Sequence, residues 1–251
     1  MPTERRILLL GGTTEASELA ARLSSDPHMW VTMSLAGRTV APRTSVAQLR
    51  VGGFGGVAGL VAYLRDERID VLVDATHPFA ATMPFHAAAA CAETGVGLLK
   101  LYRPAWHATD GDRWHSVASL AAAACALEQI GARRVLLTTG RTELDPFRRL
   151  SGMEFLVRSI EAPDLRGFAS AQAVLDRGPF ELEAERALLV DNAIDTLVSK
   201  NSGGRAAVAK LHAARELGVP VVMVERPPMP DFPRVETVDE AERWIRSLQV
   251  G

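Results

Sequence analysis

The chain has 251 residues, 47% of them hydrophobic, which is enough for one large α/β domain or two small ones, each with its own core. A formal net charge of −2 gives no global basic field, which argues against a dedicated nucleic-acid binder, so any anion must be gripped locally. No stretch approaches the roughly 20 apolar residues that span a bilayer, and the start MPTERRILLL lacks a signal-peptide layout, so a cytoplasmic protein away from membranes is expected.

Short apolar runs bounded by glycine or proline alternate with longer alanine- and leucine-rich segments, the pattern of a buried parallel sheet covered by helices. The spacing predicts strands at 6–10, 30–35, 71–74 and 98–101, with helices at 15–23, 57–67 and 80–93. LRVGGFGG at 49–56 ends a short strand with four glycines, read either as an anion contact or as a turn that needs positive φ. In the second half strands are expected at 134–138, 155–159, 196–199 and 219–224, and helices at 119–130, 169–176, 182–188, 204–217 and 238–248. Proline, glycine and aspartate within 103–112 mark a boundary, giving domains 1–104 and 105–251. Cys91 and Cys125 lie in alanine-rich helical stretches without CxxC spacing and read as small core residues.

The first strand runs into Gly11, Gly12, Thr13, Thr14, Glu15 and Ala16 and then directly into an amphipathic helix. Such a turn exposes main-chain N–H groups at a helix N-terminus, where a pyrophosphate sits without a basic side chain. The other reading is a tight turn in which Thr13 only caps the helix and Glu15 complements its dipole. About twenty residues on, NAD-preferring folds carry an acid for the ribose 2′-hydroxyl. Here Ser34, Gly37 and Arg38 stand in its place, a hydroxyl and a guanidinium suited to a 2′-phosphate, so NADP is expected over NAD.

Asp74 closes the run 71–74 and is followed by Thr76, His77, Pro78, Phe79 and Ala80, a strand-end loop of the kind that lines a cofactor crevice. His77 is placed to contact cofactor or substrate and to shuttle a proton, or else ties the turn through its ring nitrogen. The six histidines form no cluster at metal-ligand spacing, so no bound metal is expected. In the second half Thr139, Gly140 and Arg141 end one strand, and Lys200, Asn201, Ser202, Gly203 and Gly204 end another. The latter reads as an anion-receptive nest or as a Gly-Gly helix start with a surface lysine.

ILLLGGTTEA, SLAGRT, DATHPFA and VSKNSGG, in this order, resemble the precorrin-6A reductase family, including its cobalt-precorrin variant, over about residues 5–248. The resemblance implies two Rossmann-like α/β domains, parallel sheets flanked by helices, with an active-site cleft between them. It also implies NADPH-dependent reduction of one double bond of precorrin-6A to give precorrin-6B in corrin-ring synthesis. By motif match Gly11, Gly12, Thr13, Thr14 and Glu15 would carry the dinucleotide phosphates, Ser34, Gly37 and Arg38 the adenosine end, and Thr76 to Ala80 the nicotinamide side. A tetrapyrrole rich in carboxylates calls for scattered cations at loop ends, which Arg103, Arg141 and Lys200 supply. The proton source stays open among His77, Lys200, Tyr63, Tyr102 and water, and the assembly between monomer and homodimer. Competing readings are a reductase of another substrate, a non-catalytic NADPH sensor and a nucleotide-sugar transferase.

Overall fold

Strands with apolar side chains on both faces, such as Ile7 to Leu10 and Val71 to Val73, can be buried only inside a sheet covered on two sides. The computed structural model, which describes residues 4–37 and 48–248, builds two such sheets. In chain order the elements are β1 (Arg5–Leu10), α1 (Thr14–Ser24), β2 (Met29–Leu35), β3 (Gln48–Val51), α2 (Gly56–Asp66), β4 (Val71–Asp74), α3 (Met83–Thr94) and β5 (Gly97–Leu101). There follow β6 (Trp114–Val117), α4 (Leu120–Ile130), β7 (Arg134–Leu137), α5 (Asp145–Arg148), β8 (Glu154–Ser159), β9 (Ala171–Leu175), α6 (Leu182–Asp191) and β10 (Thr196–Lys200). The last are a 3-10 turn (Arg205–Ala207), α7 (Ala209–Glu216), β11 (Val221–Val224), β12 (Arg234–Val235) and α8 (Val238–Ser247).

One unit comprises Met1–Arg103 and Pro227–Gly251, with all-parallel strand order β12-β5-β4-β1-β2-β3. One face of its sheet packs Ile7, Leu9, Val31 and Val73 against Leu19 and Leu23 of α1 and Ala241 and Ile245 of α8. The other packs Leu8, Leu10 and Leu72 against Leu60 and Leu64 of α2 and Ala87 and Ala90 of α3. Each fully buried leucine or isoleucine contributes about 1.5–3 kcal/mol to that packing. Arg5 on β1 donates to the carbonyls of Ile245 and Leu248, placing a cation at the C-terminal end of α8, where the helix has no internal donors left.

The other unit is Pro104–Arg226, again all parallel, in the order β6-β11-β10-β7-β8-β9. Leu136, Leu156 and Leu197 meet Leu189 of α6 and Leu211 and Ala213 of α7 on one face. In the first unit the chain runs outward from β1 through β2 and β3 and resumes on the other side with β4; in the second, after the edge strand β6, it runs outward from β7 through β8 and β9 and resumes on the other side with β10. That places a topological switch point between β1 and β4 and another between β7 and β10, the positions where α/β sheets bind ligands at strand C-termini.

The structure departs from the sequence expectation at several points. The boundary near residue 104 appears, but the second domain does not run on to residue 251, because β12 and α8 return to the first sheet. Residues 171–175 form β9 instead of a helix: they pair with Phe155 to Ser159, and a sheet-edge ladder overrides the alanine-rich composition. The segment 204–217 divides into the 3-10 turn and α7, and β6, α5 and β12 were not anticipated. Cys91 is buried as expected, whereas Cys125 is exposed, since the inward face of α4 is filled by Ala123, Ala124, Ala126 and Leu127.

Candidate active site

At the switch point of the first sheet, β1 ends in two glycines with distinct requirements. A Cβ on Gly11 would lie 3.0 Å from Leu35 Cδ2 and 3.2 Å from Met33 Cγ, so the chain must pass close to β2 without a side chain. Gly12 has φ +118°, a backbone conformation that glycine adopts without strain, and open space where a Cβ would be. Thr13 then caps α1: its Oγ1 accepts the N–H of Ala16 at 3.1 Å and donates to Ala75 O at 3.0 Å. The cap therefore also clips the turn after β1 to the loop after β4. First-turn N–H groups of Thr14 and Glu15 have no acceptor within the helix, and an anion suits that end of the dipole. The Glu15 carboxylate instead takes Arg103 Nη1 at 2.8 Å, so Glu15 offers a phosphate its main chain and not its side chain. Thr13, Glu15, Thr76, Pro78, Leu101 and Arg103 line one open groove. The close glycine approach and the uncapped N–H groups fit a dinucleotide pyrophosphate.

The loop after β4 is fixed from beneath. Asp74 and Lys100, in register on adjacent strands, are 0% and 1% exposed, with Lys100 Nζ 2.9 Å from Asp74 Oδ1. The same oxygen accepts the main-chain N–H of Thr76 at 2.9 Å and its hydroxyl at 2.7 Å, and Lys100 Nζ reaches Thr76 Oγ1 at 3.1 Å. His77 ties the following turn, with Nδ1 accepting the N–H of Phe79 at 3.2 Å and its carbonyl the N–H of Ala80 at 2.8 Å. The acceptor role at Nδ1 places the neutral ring's proton on Nε2. Ser34 closes β2 beside the glycine turn, its carbonyl accepting the N–H of Gly11 at 2.9 Å, and Gly37 follows with φ +74°. Arg38 lies outside the described residues. Tyr63 packs edge-on against Phe54, ring centroids 5.2 Å apart, beyond β3, and burial raises its pKa above the ordinary phenol value. Both features argue against Tyr63 as a proton donor.

In the second unit the loop cations singled out from the sequence, and Asn201, have partners. Arg141 pairs with Glu161 at 2.9 Å and Lys200 with Glu143. The Asn201 amide holds Trp106, accepting its N–H at 2.9 Å and donating to its carbonyl at 3.1 Å, so this side chain secures a neighbouring segment. Gly203 stands against Pro104, where a Cβ would meet the carbonyl oxygen at 2.0 Å, and Gly204 follows with φ +86°. Ser202 and Thr139 are buried, and Thr139 Oγ1 has no hydrogen-bond partner among the described residues. Gly140 turns the chain at φ +97°. Beside them Lys210 of α7 is 4% exposed, with Nζ donating to Thr138 Oγ1 at 3.0 Å and lying 5.6 Å from the Trp106 ring. Burial, reinforced by Arg158, lowers its pKa to about 7.

Residues 6–246 match the family described as precorrin-6x reductase CbiJ/CobK. The chain belongs to this family. It is 46% identical over 246 residues to the precorrin-6A reductase of Rhodococcus erythropolis, covering 97% of this chain and 98% of that protein. It is 30% identical over 231 residues to the cobalt-precorrin-6A reductase of Methanothermobacter thermautotrophicus, covering 88% of this chain and 76% of that one. A solved structure of a CobK precorrin-6A reductase superposes with a TM-score of 0.91 at 44% identity, covering 96% of each chain. As a member of the precorrin-6x reductase family, the protein is an oxidoreductase.

Sequence reasoning overlooked three features of this family member. Lys100 interrupts the apolar run GLLKL, and a cation in a buried parallel strand requires a counter-charge, which the strand-end Asp74 supplies. Arg50 lies in the glycine-rich stretch that was read only for its glycines. Lys210 carried no sequence signal beyond its place in an amphipathic segment.

Proposed function

We propose that the chain reduces one double bond of the precorrin-6A macrocycle to give precorrin-6B in cobalamin biosynthesis, in the cytoplasm, with NADPH as the reductant. The observation that carries this reading is 46% identity over 97% of the chain to proteins named precorrin-6A reductase. Bound NADPH would supply the hydride. The main chain at Gly11, Gly12, Thr13, Thr14 and Glu15 would hold its diphosphate, Ser34, Gly37 and Arg38 its adenosine end, and Thr76, His77, Pro78, Phe79 and Ala80 its nicotinamide side. Thr13 and the Asp74–Lys100 pair fix the two loops that meet at the switch point, and such pre-set geometry is where most of the rate of a hydride transfer originates.

Arg103 of the first unit, and Arg141 and Lys200 of the second with Thr139, Gly140, Asn201, Ser202, Gly203 and Gly204, would receive the macrocycle's carboxylates. Each of the three cations already faces a glutamate, so a substrate carboxylate would have to displace Glu15, Glu161 or Glu143, whose freed carboxylate would then turn to water. His77 and Lys200 are the candidate proton donors of this reading, and positioning alone carries the reaction if the conjugated ring is a sufficient electrophile. NADPH oxidation followed by absorbance in the presence of precorrin-6A tests this. Gly12→Asp should abolish turnover, whereas His77→Asn, Lys200→Met and Tyr102→Phe should each stay within about threefold; a loss of roughly 100-fold at one of them would make that residue the general acid. Absence of any precorrin-dependent oxidation by the unaltered protein would reject the proposed activity.

A further inference from the structure

Arg50 stands at the C-terminal end of β3, half-buried. Its Nη1 donates to Ser34 Oγ at 3.2 Å and to Gly52 O at 2.6 Å, and its Nη2 to Gly53 O at 2.7 Å. The guanidinium carbon lies 3.8 Å from the centre of the Phe54 ring and 5.3 Å from that of Tyr63. Two carbonyls, a hydroxyl and an aromatic face therefore hold the group in one orientation. No carboxylate forms an ion pair with it among the described residues. A guanidinium has five N–H donors; three are engaged, and those left are on Nε and Nη2, neighbouring nitrogens of the kind that together take two oxygens of a phosphate.

The location decides which phosphate. Ser34 accepts Gly11 N–H through its carbonyl and Arg50 through its side chain, so a single residue separates the glycine turn from this unbalanced cation. The end of β2 is where a dinucleotide fold meets the ribose 2′ position, and the segment Ser34-Leu35-Ala36-Gly37 contains no acid. A 2′-hydroxyl gives a fixed, uncompensated guanidinium little to bind, whereas a 2′-phosphate neutralises it, and the Ser34 hydroxyl, accepting from Arg50, keeps its own proton to donate.

We propose that Arg50, seated with Ser34 at the ends of β3 and β2, is the residue that recognises the 2′-phosphate and makes the protein select NADPH over NADH. The inference rests on the placement of the dinucleotide at the β1 turn given above. Calorimetric titration of the whole protein with NADPH, NADH, 2′,5′-ADP and ADP separates the two. Arg50→Gln should weaken NADPH and 2′,5′-ADP about 30-fold or more while NADH and ADP stay within about threefold. Arg50→Lys, which keeps the charge but not the fork, should lose about tenfold for the phosphorylated pair alone, and it carries the test if the glutamine variant does not melt cooperatively. Equal losses for all four ligands would reduce Arg50 to a structural role and overturn the proposal. So would a preserved preference for NADPH in Arg50→Gln, including one that is abolished by Arg38→Gln instead. Failure of the unaltered protein to bind either dinucleotide would overturn the placement at the β1 turn as well, whereas a normal preference that Arg50 does not control sinks only the present proposal.

Discussion

Lys210 brings a primary amine into a region that already holds the buried Arg158–Glu185 pair, in which Arg158 also lies over the Phe180 ring at 4.0 Å. Burial first, and then Arg158 and Lys200 outweighing the one carboxylate of Glu185, drive the amine toward its neutral form, with a pKa of about 7 against the ordinary 10.5. In the unfolded chain it stays protonated up to the ordinary value. Between about pH 7 and 10.5 the unfolded state therefore binds the extra proton, and raising the pH through that window favours the folded state by at most about 1.4 kcal/mol per pH unit. Below pH 7 both states are protonated and the folded one bears the full cost of the buried charge. Lys210→Met should accordingly raise the melting temperature at pH 6 and bring progressively less benefit toward pH 10. A gain that does not vary with pH would mean that the charge is not what destabilises the site.

Strands β4 and β5 are joined by more than their ladder, because the Asp74–Lys100 pair crosses from one to the other and holds the loop that begins at Thr76. Removing one buried partner strands the other, which typically costs 3–5 kcal/mol, while removing both is close to neutral. Asp74→Asn should therefore destabilise the fold by about 3 kcal/mol or more in urea unfolding, and the double variant Asp74→Leu, Lys100→Met should recover most of that loss. If the double variant were as unstable as the single one, the pair would contribute net stability instead of loop geometry. The glycine turn, the order of βα units and the strand-end loops were legible in the sequence because glycine spacing and apolar runs are local signals. The pairing of Asp74 with Lys100 was not, since it depends on which strands become neighbours, and neither was β9, whose pattern Ala-Gln-Ala-Val-Leu is decided by the partner strand β8. Asn201 and Lys200 were read in the turn after a strand, whereas Lys200 is the last residue of β10 and Asn201 the next, and their partners Trp106 and Glu143 lie far away in sequence and could not be read from it.

At the scale of the molecule, the first unit is assembled from both ends of the chain, with β12 extending its sheet and α8 closing one of its faces. A chain shortened to end at Arg226 would bare Leu19, Leu23 and Leu9, which now pack in one cluster with Ala241 and Ile245. Dinucleotide binding should then be lost, while the continuous unit Pro104–Arg226 still melts cooperatively. Retained NADPH affinity in the shortened chain would show that β12 and α8 are dispensable for the first sheet. No helix among the described residues is long and apolar enough to cross a membrane. On the ribosome the same arrangement sets an order of events: the half made of one uninterrupted stretch can settle while translation continues, whereas the half that encloses the glycine turn must wait, with a leucine-lined flank uncovered, for the final two dozen or so residues to emerge.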